Sequence, residues 1–504
     1  MKLFRNALLI DGSGAAPRRG SLLTADGKIV SVEYGDEIKT TAVCETVDCA
    51  GLALAPGFID AHSHSDAYAL LRPDAPSKIA QGVTTEIVGQ CGASASPFSE
   101  TALPSDWASH TYPWRWHDIA TYLAALREAA PKTSIVPMTG HRNLRIAVMG
   151  MDARPATPRE IARMAELLEN ELAGGSRGFT TGLLYQPSRN ATEDEIIALC
   201  KVCAKYDGVY ATHLRSEGDR LLEALDEALR TARESGVRLQ ISHFKTTGAD
   251  NWGKLEEAIA MIESARAEGL RVFADRYPYL AGGTELDVVL PDWAQHGGRE
   301  ATLARLRDSA TRRRIIDELT QENKDWNGVM VGGTTHPDNF PLRGRRISEI
   351  AADWDCAPVE TILRIIEKDA LKTGAFFEGM CEKNLERIYS LPWVMVGSDA
   401  SIRAASGTLS DDHPHPRAWG AFPRFIAMCR DKKLMPLEES VRRITSLPAS
   451  VFGLRDRGLL APGLRADLVL FDQWQCRDTA TYAAPISPPE GIKAVHLTND
   501  AKLP

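Results

Sequence analysis

Two histidines stand two residues apart in PGFIDAHSHSD, residues 56–66, and two more, His213 and His243, close the apolar runs GVYATHL and RLQISHF. On a strand, His62 and His64 point to one face, and imidazole is the commonest protein ligand for zinc, binding at about 2.0–2.1 Å. A His-x-His pair alone reads equally well as two exposed or satisfied histidines, and a lone histidine at such a place as a packed core residue. Four of them at the C-terminal ends of three predicted strands are much harder to explain by packing. Asp399 ends another run, WVMVGSD. By itself it caps a turn; beside four converging histidines it becomes the candidate general base.

Two metals about 3.5–4 Å apart need a bridging anion. A carboxylated lysine on the fourth strand is one such bridge, but the fourth predicted strand, GFTTGL, has no lysine. Cys91, in VGQCG between Gly89 and Gly92, is the replacement candidate. A thiolate binds zinc at about 2.3 Å and the metal keeps it deprotonated. Read alone, Cys91 is a buried hydrophobe; the glycines beside it, which let backbone approach a metal, favour ligation.

These residues need a scaffold. The middle of the chain alternates short apolar runs with helix-period segments, the pattern of a barrel or doubly wound sheet. Eight runs qualify as barrel strands: FIDAHSH, TTEIVGQ, SIVPMTG, GFTTGL, GVYATHL, RLQISHF, RVFADRYPY and WVMVGSD. Helices are predicted in TPREIARMAELLENELAGG and WGKLEEAIAMIESARAEG, each ending near glycine as a helix C-terminus should. The pattern breaks from about 285 to 350, where DSATRRRIIDEL reads as an arginine-rich helix; an insertion after the seventh strand lies over a barrel mouth and is a lid candidate. Both ends of the chain read as short strands, with a hairpin signal at Asp26–Gly27. The expected fold is α/β: a (β/α)₈ TIM-like barrel over 55–450 with its lid insertion, and a small β-sandwich built from 1–54 and 451–504.

With 504 residues and 44% hydrophobic content, there is ample material for such a core. The net charge of −8 argues against a nucleic-acid partner, which usually demands a basic face. No run approaches the roughly 20 apolar residues of a membrane helix, and MKLFRNALLIDGSG meets Asp11 and Gly12 too soon for a signal peptide. Nine cysteines without a small-scaffold spacing fit a reducing cytosol, so a cytoplasmic location is expected. Cys200 and Cys203 share CxxC spacing, but they lie on a helix-period segment with no second pair, and packing explains them.

Taken together, PGFIDAHSHSD, QGVTTEIVGQCG, GHRNLRIAVMG, GFTTGLLYQPS, YATHLRSE, ISHFK, DRYPYLAGGTEL, GSDA, HPHPRAWGAFPR and GLRADLVLFD resemble the N-acyl-D-amino-acid deacylases (D-aminoacylases) of the amidohydrolase superfamily, along almost the whole chain. The resemblance implies a tightly held zinc on Cys91, His213 and His243, and a second site on His62 and His64 that is weak or empty. It implies Asp399 as catalytic acid/base, Arg417 and Tyr277 meeting the substrate carboxylate, and Lys245 and Tyr185 lining the pocket. Arginine suits a carboxylate because it can form two parallel hydrogen bonds. Lys245, two residues beyond His243, can share its strand face and touch an acidic side chain, or be an ordinary loop lysine. Three positions depart from the family pattern: Phe244 replaces a second histidine, Gly283 a serine, and YQPS at Tyr185 a tyrosine–diproline run.

The expected activity is zinc-dependent hydrolysis of an N-acyl-D-amino acid, a small-molecule substrate, to a carboxylate and a free D-amino acid. The alternatives are a cyclic-amide hydrolase of the dihydroorotase or hydantoinase kind, and a catalytically inactive barrel scaffold. The sequence leaves monomer and homo-oligomer equally open.

Overall fold

The computed structural model describes residues 1–35, 44–98, 107, 110–113, 115–322 and 324–498. Five strands open the chain: β1 (Lys2–Leu9), β2 (Arg18–Ala25), β3 (Lys28–Tyr34), β4 (Glu45–Asp48) and β5 (Ala53–Pro56). Asp26 and Gly27 join β2 to β3 with φ of 49° and 71°, the left-handed pair that Asp-Gly accepts in a tight hairpin. The middle supplies β6 (Phe58–Asp60), β7 (Val83–Val88), β8 (Ser134–Pro137), β9 (Thr139–Gly140), β10 (Gly178–Gly182), β11 (Val209–His213), β12 (Arg238–Ile241) and β13 (Val272–Arg276). Then come β14 (Ala281–Glu285), β15 (Val329–Val331), β16 (Gly374–Glu378), β17 (Val394–Val396), β18 (Leu468–Phe471) and β19 (Ile492–His496).

The middle strands pair in parallel, in the orders β6-β7-β8 and β9-β10-β11-β12-β13-β17. Every residue of β7, β10 and β11 is buried, as strands covered on both faces must be, which is why these runs show no alternation. All eight predicted segments contain strand. The third, SIVPMTG, is split at Met138 into β8 and β9, yet Met138 N still donates to Val88 O at 3.0 Å. At the other ends of the two sheets, Ala61 N donates to Val396 O at 3.2 Å and Ser63 bridges Ala400 in parallel.

The two predicted helices form, Pro158–Ala173 ending at Gly174 and Leu255–Ala267 just before Gly269. Thr157 caps Pro158–Ala173 in a reciprocal pair with Glu160, and Asp308 caps Ser309–Gln321. The helix Glu193–Lys205 buries Cys200 and Cys203 completely. Burial pushes the Cys203 thiol up to about 12, so the CxxC pair serves packing.

The chain ends, expected as a small sandwich, pair in one seven-stranded sheet of order β19-β18-β5-β1-β2-β3, with β4 also on β1. Strand β1 gives its first half to β4 and its second to β5, and β18 runs antiparallel to β5, which fastens the C-terminal segment to the strand leading into β6. The stretch expected as an insertion, about 285–350, falls within a longer segment. Its antiparallel sheet, β14-β16-β15, needs β16 to pair with both partners, so its strands run from Ala281 to Glu378 around a core of their own that includes Leu303, Leu306, Ile315 and Ile362.

Candidate active site

The expected site residues sit at or just after the C-terminal ends of parallel strands: His62 and His64 after β6, Cys91 after β7, His213 ending β11, His243 after β12 and Asp399 after β17. Three of them adopt the left-handed region without being glycine: Cys91 at φ 52°, His243 at 37° and Asp399 at 50°. Such conformations cost about 1–3 kcal/mol each and persist only where their surroundings over-determine them. Close backbone approach is part of that constraint. A Cβ on Gly397 would lie 2.4 Å from His62 Cβ, and one on Gly182 2.3 Å from the Cys91 carbonyl oxygen.

Cys91 Sγ lies 3.4 Å from His62 Nε2, 3.5 Å from His243 Nε2 and 3.8 Å from His213 Nδ1. Tetrahedral zinc, with bonds of about 2.3 Å to sulfur and 2.0–2.1 Å to nitrogen, sets sulfur and nitrogen about 3.5 Å apart. The sulfur–nitrogen spacing therefore suits zinc, and ligand atoms of His62, Cys91, His243 and Asp399 all lie within 4.8 Å of one another, while His213 groups in the same way with Glu217 and His243. Burial raises the Cys91 thiol pKa, but the His62 and His243 charges beside it outweigh that and hold it well below its ordinary value, in the thiolate form that binds metal. His64 stands further out: its Nε2 is 3.0 Å from Asp399 Oδ1, while His62 Nε2 is 3.3 Å from the same oxygen. Burial raises the Asp399 carboxyl too, yet Arg417 first and His62 next hold it well below the carboxylate range.

Residues that sequence reasoning missed orient these groups. His62 Nδ1 meets Asp275 at 3.1 Å, and Asp275 accepts from Gln240 Nε2 at 2.5 Å and from His243 N at 3.0 Å. His243 Nδ1 meets Glu217 at 2.8 Å. Each histidine thus turns one nitrogen towards Cys91 and the other towards a carboxylate, which fixes its tautomer and raises its basicity as a ligand. Glu217 had a signal, standing four residues after His213 in HLRSE; Asp275 had none apart from its place at the end of β13. Beneath them lies a fully buried ammonium. Lys78 Nζ contacts Asp60 at 2.8 Å, Ser398 Oγ at 2.9 Å and the Ala400 carbonyl at 2.8 Å, and lies 3.4 Å from Glu86. This joins the segment carrying His62 and His64 to the one carrying Asp399.

The four expected substrate-side residues all lie near this centre. Arg417 Nη1 is 2.8 Å from Asp399 Oδ2, Nη2 donates to the Gly283 carbonyl at 3.2 Å, and the guanidinium stacks 4.5 Å from the Tyr277 ring centroid. Its Nε is buried without a hydrogen-bond partner. Arg417 N donates to His415 Nδ1 at 3.0 Å, so His415 Nε2 carries the proton given to the Ala281 carbonyl; burial keeps this imidazole neutral. Burial raises the Tyr277 phenol, but Lys245, Arg276 and Arg417 around it bring it below its usual value. Tyr185 packs edge-on against His213 and places its hydroxyl 3.2 Å from Thr284 Oγ1 on β14. Lys245 does reach the His243 side chain, 2.9 Å from Nδ1, and its ammonium is paired with Glu217.

A model described as "Amidohydrolase family" matches residues 45–494, and the chain belongs to that family. It is 36% identical over 501 residues to the D-aminoacylase of Alcaligenes xylosoxydans xylosoxydans, a match covering 98% of this chain and 93% of that one. It is also 36% identical, over 98% of its length and 90% of the relative, to an N-acyl-D-aspartate deacylase of the same organism. Among solved structures, the N-acyl-D-glutamate deacylase of Bordetella bronchiseptica superposes with a TM-score of 0.83 at 31% identity, over 99% of this chain and 95% of that one. That structure is complexed with zinc and a phosphonate inhibitor mimicking the reaction's tetrahedral intermediate.

Proposed function

We propose that this protein hydrolyses the amide bond of an N-acyl-D-amino acid to a carboxylate and a free D-amino acid. The observation that carries the reading is Cys91 Sγ standing 3.4 Å from His62 Nε2, 3.5 Å from His243 Nε2 and 3.8 Å from His213 Nδ1, close to the sulfur–nitrogen spacing of a tetrahedral zinc. Cys91, His213 and His243 would hold the tight metal, and His62 with the more exposed His64 a looser one. Zinc held there supplies Lewis acidity, polarising an acyl carbonyl and lowering the pKa of water towards about 7. Asp399, kept ionised by Arg417 and His62, accepts the proton of the attacking water. It returns that proton to the departing amine nitrogen, otherwise a very poor leaving group. Arg417, with its Nε free, grips the α-carboxylate beside Tyr277, and Tyr185 closes the wall towards β14. Lys245 acts through Glu217, since its charge is already matched.

The scaffold reading belongs with this. The Ala61–Val396 and Met138–Val88 contacts support one closed (β/α)₈ barrel over 55–450, with the segment from Ala281 to Glu378 as its lid and the terminal sheet beside it. Among the described residues no helix is long and apolar enough to cross a membrane, and all nine cysteines are free thiols, which supports a reducing, cytoplasmic setting. A cyclic-amide hydrolase or an inactive scaffold is not favoured: the relatives matched over the whole chain are deacylases, and every donor of the metal set is present. The test is a screen of N-acetyl-, N-formyl- and N-succinyl-D- and L-amino acids against zinc-loaded enzyme, read by amine release. Release from D-isomers is expected; turnover of L-isomers alone would overturn the assignment.

A further inference from the structure

Arg276 closes β13 between Asp275 and Tyr277 and is 1% exposed. Its Nη2 donates to the Tyr279 carbonyl at 2.8 Å and meets Met380 Sδ at 2.9 Å, while Nε and Nη1 have no hydrogen-bond partner. Among the described residues no carboxylate pairs with it. The adjacent Asp275 is engaged by His62, Gln240 and the His243 amide. A buried guanidinium without a counter-charge is costly enough that such groups are found paired. Lys245, the neighbouring cation, has its partner in Glu217.

The same guanidinium lines a small cavity together with Lys245, Thr246, Met380, Cys381 and Asn384. That cavity runs along the eight-residue helix Glu382–Tyr389, from Cys381, which provides no side-chain cap, past Asn384 to Leu385 and Ile388. The first-turn amides of a helix and its positive dipole end attract an anion. A buried guanidinium that stacks on the Tyr277 ring at 4.1 Å but has two unpartnered nitrogens and no counter-charge, and an uncapped helix start, therefore border one small cavity. The cavity is too small for a carboxylate-bearing metabolite, and Met380, an unbranched and adaptable side chain, forms part of its wall.

We propose that this cavity is a binding site for a small inorganic monoanion of the halide class, which neutralises Arg276 and anchors the end of β13 between Asp275 and Tyr277. The site adjoins the metal centre through Lys245, which contacts His243 Nδ1 at 2.9 Å, but holds none of the metal donors and does not depend on the substrate assignment. Zinc-loaded enzyme is melted in sodium gluconate, sodium chloride and sodium bromide at constant ionic strength, gluconate being too large to enter. Halide is expected to raise Tm with the logarithm of its concentration, by about 1–2 °C at tenfold excess over its Kd for a chain of this length, and Arg276→Met to abolish that rise. Crystals of the native enzyme soaked in bromide should show an anomalous peak against Arg276 Nε and Nη1; this measurement decides the matter even where the variant does not fold. Equal melting in all three salts with no anomalous peak in the cavity, or a peak only elsewhere, would overturn the proposal.

Discussion

Arg417 holds Nη1 2.8 Å from Asp399 Oδ2 while Nη2 donates to the Gly283 carbonyl on β14 at 3.2 Å. One guanidinium thus ties the proposed base to the insertion and keeps a donor free between them. Arg417→Lys preserves the charge and loses the fork. KM for an N-acyl-D-amino acid should rise about 10–100-fold, the worth of a hydrogen bond to a charged group. The same change should leave KM for the corresponding amino-acid amide, which lacks the carboxylate, near its starting value in steady-state assays.

Asp399→Asn removes the proton acceptor and keeps the side chain's shape. Turnover should fall about 10²–10⁴-fold with metal content per chain, read by atomic emission, unchanged. Near-normal turnover would exclude Asp399 as the base.

Glu217→Gln leaves His243 with a weaker partner than the carboxylate now 2.8 Å from its Nδ1. Losing such an orienting carboxylate costs about 10–100-fold in metal affinity. Competition against a chromophoric chelator at fixed pH measures the change directly.

Lys78→Met strands the buried Asp60 and Glu86 carboxylates without their cation. Breaking a buried ion pair from one side costs about 3–5 kcal/mol, and a lowered Tm should report it. Adding Asp60→Asn removes one stranded charge and should restore part of the loss.

Burial raises the Glu171 carboxyl to about 7, despite hydrogen bonds from Ser96 and Ile119 N that act the other way. The folded chain therefore binds a proton there that the unfolded chain releases near its ordinary value of 4.5. Its contribution to stability is full below that value and is lost as pH rises towards 7, by about 3 kcal/mol. Glu171→Gln should flatten that limb of Tm against pH.

Sequence alone determined the chemistry on offer. His62, His64, Cys91, His213, His243 and Asp399 were recognisable because each closes or follows an apolar run, and in a parallel sheet such places share one end. The eight strands, the terminal strands and the two helices were legible for the same reason: apolar period and terminal glycines are local properties. Only tertiary structure brought the donors together. Cys91 stands near His62, His213 and His243 alike, because the separation of strand ends from different parts of the chain depends on register and on backbone approach at Gly182 and Gly397. Partners far apart in sequence were equally hidden: Glu217 for Lys245 and His243, Asp275 for His62, Lys78 beneath Asp399, and β16 completing the insertion's sheet well past residue 350. A charge's partner is set by distance in space, and no local pattern in the chain encodes it.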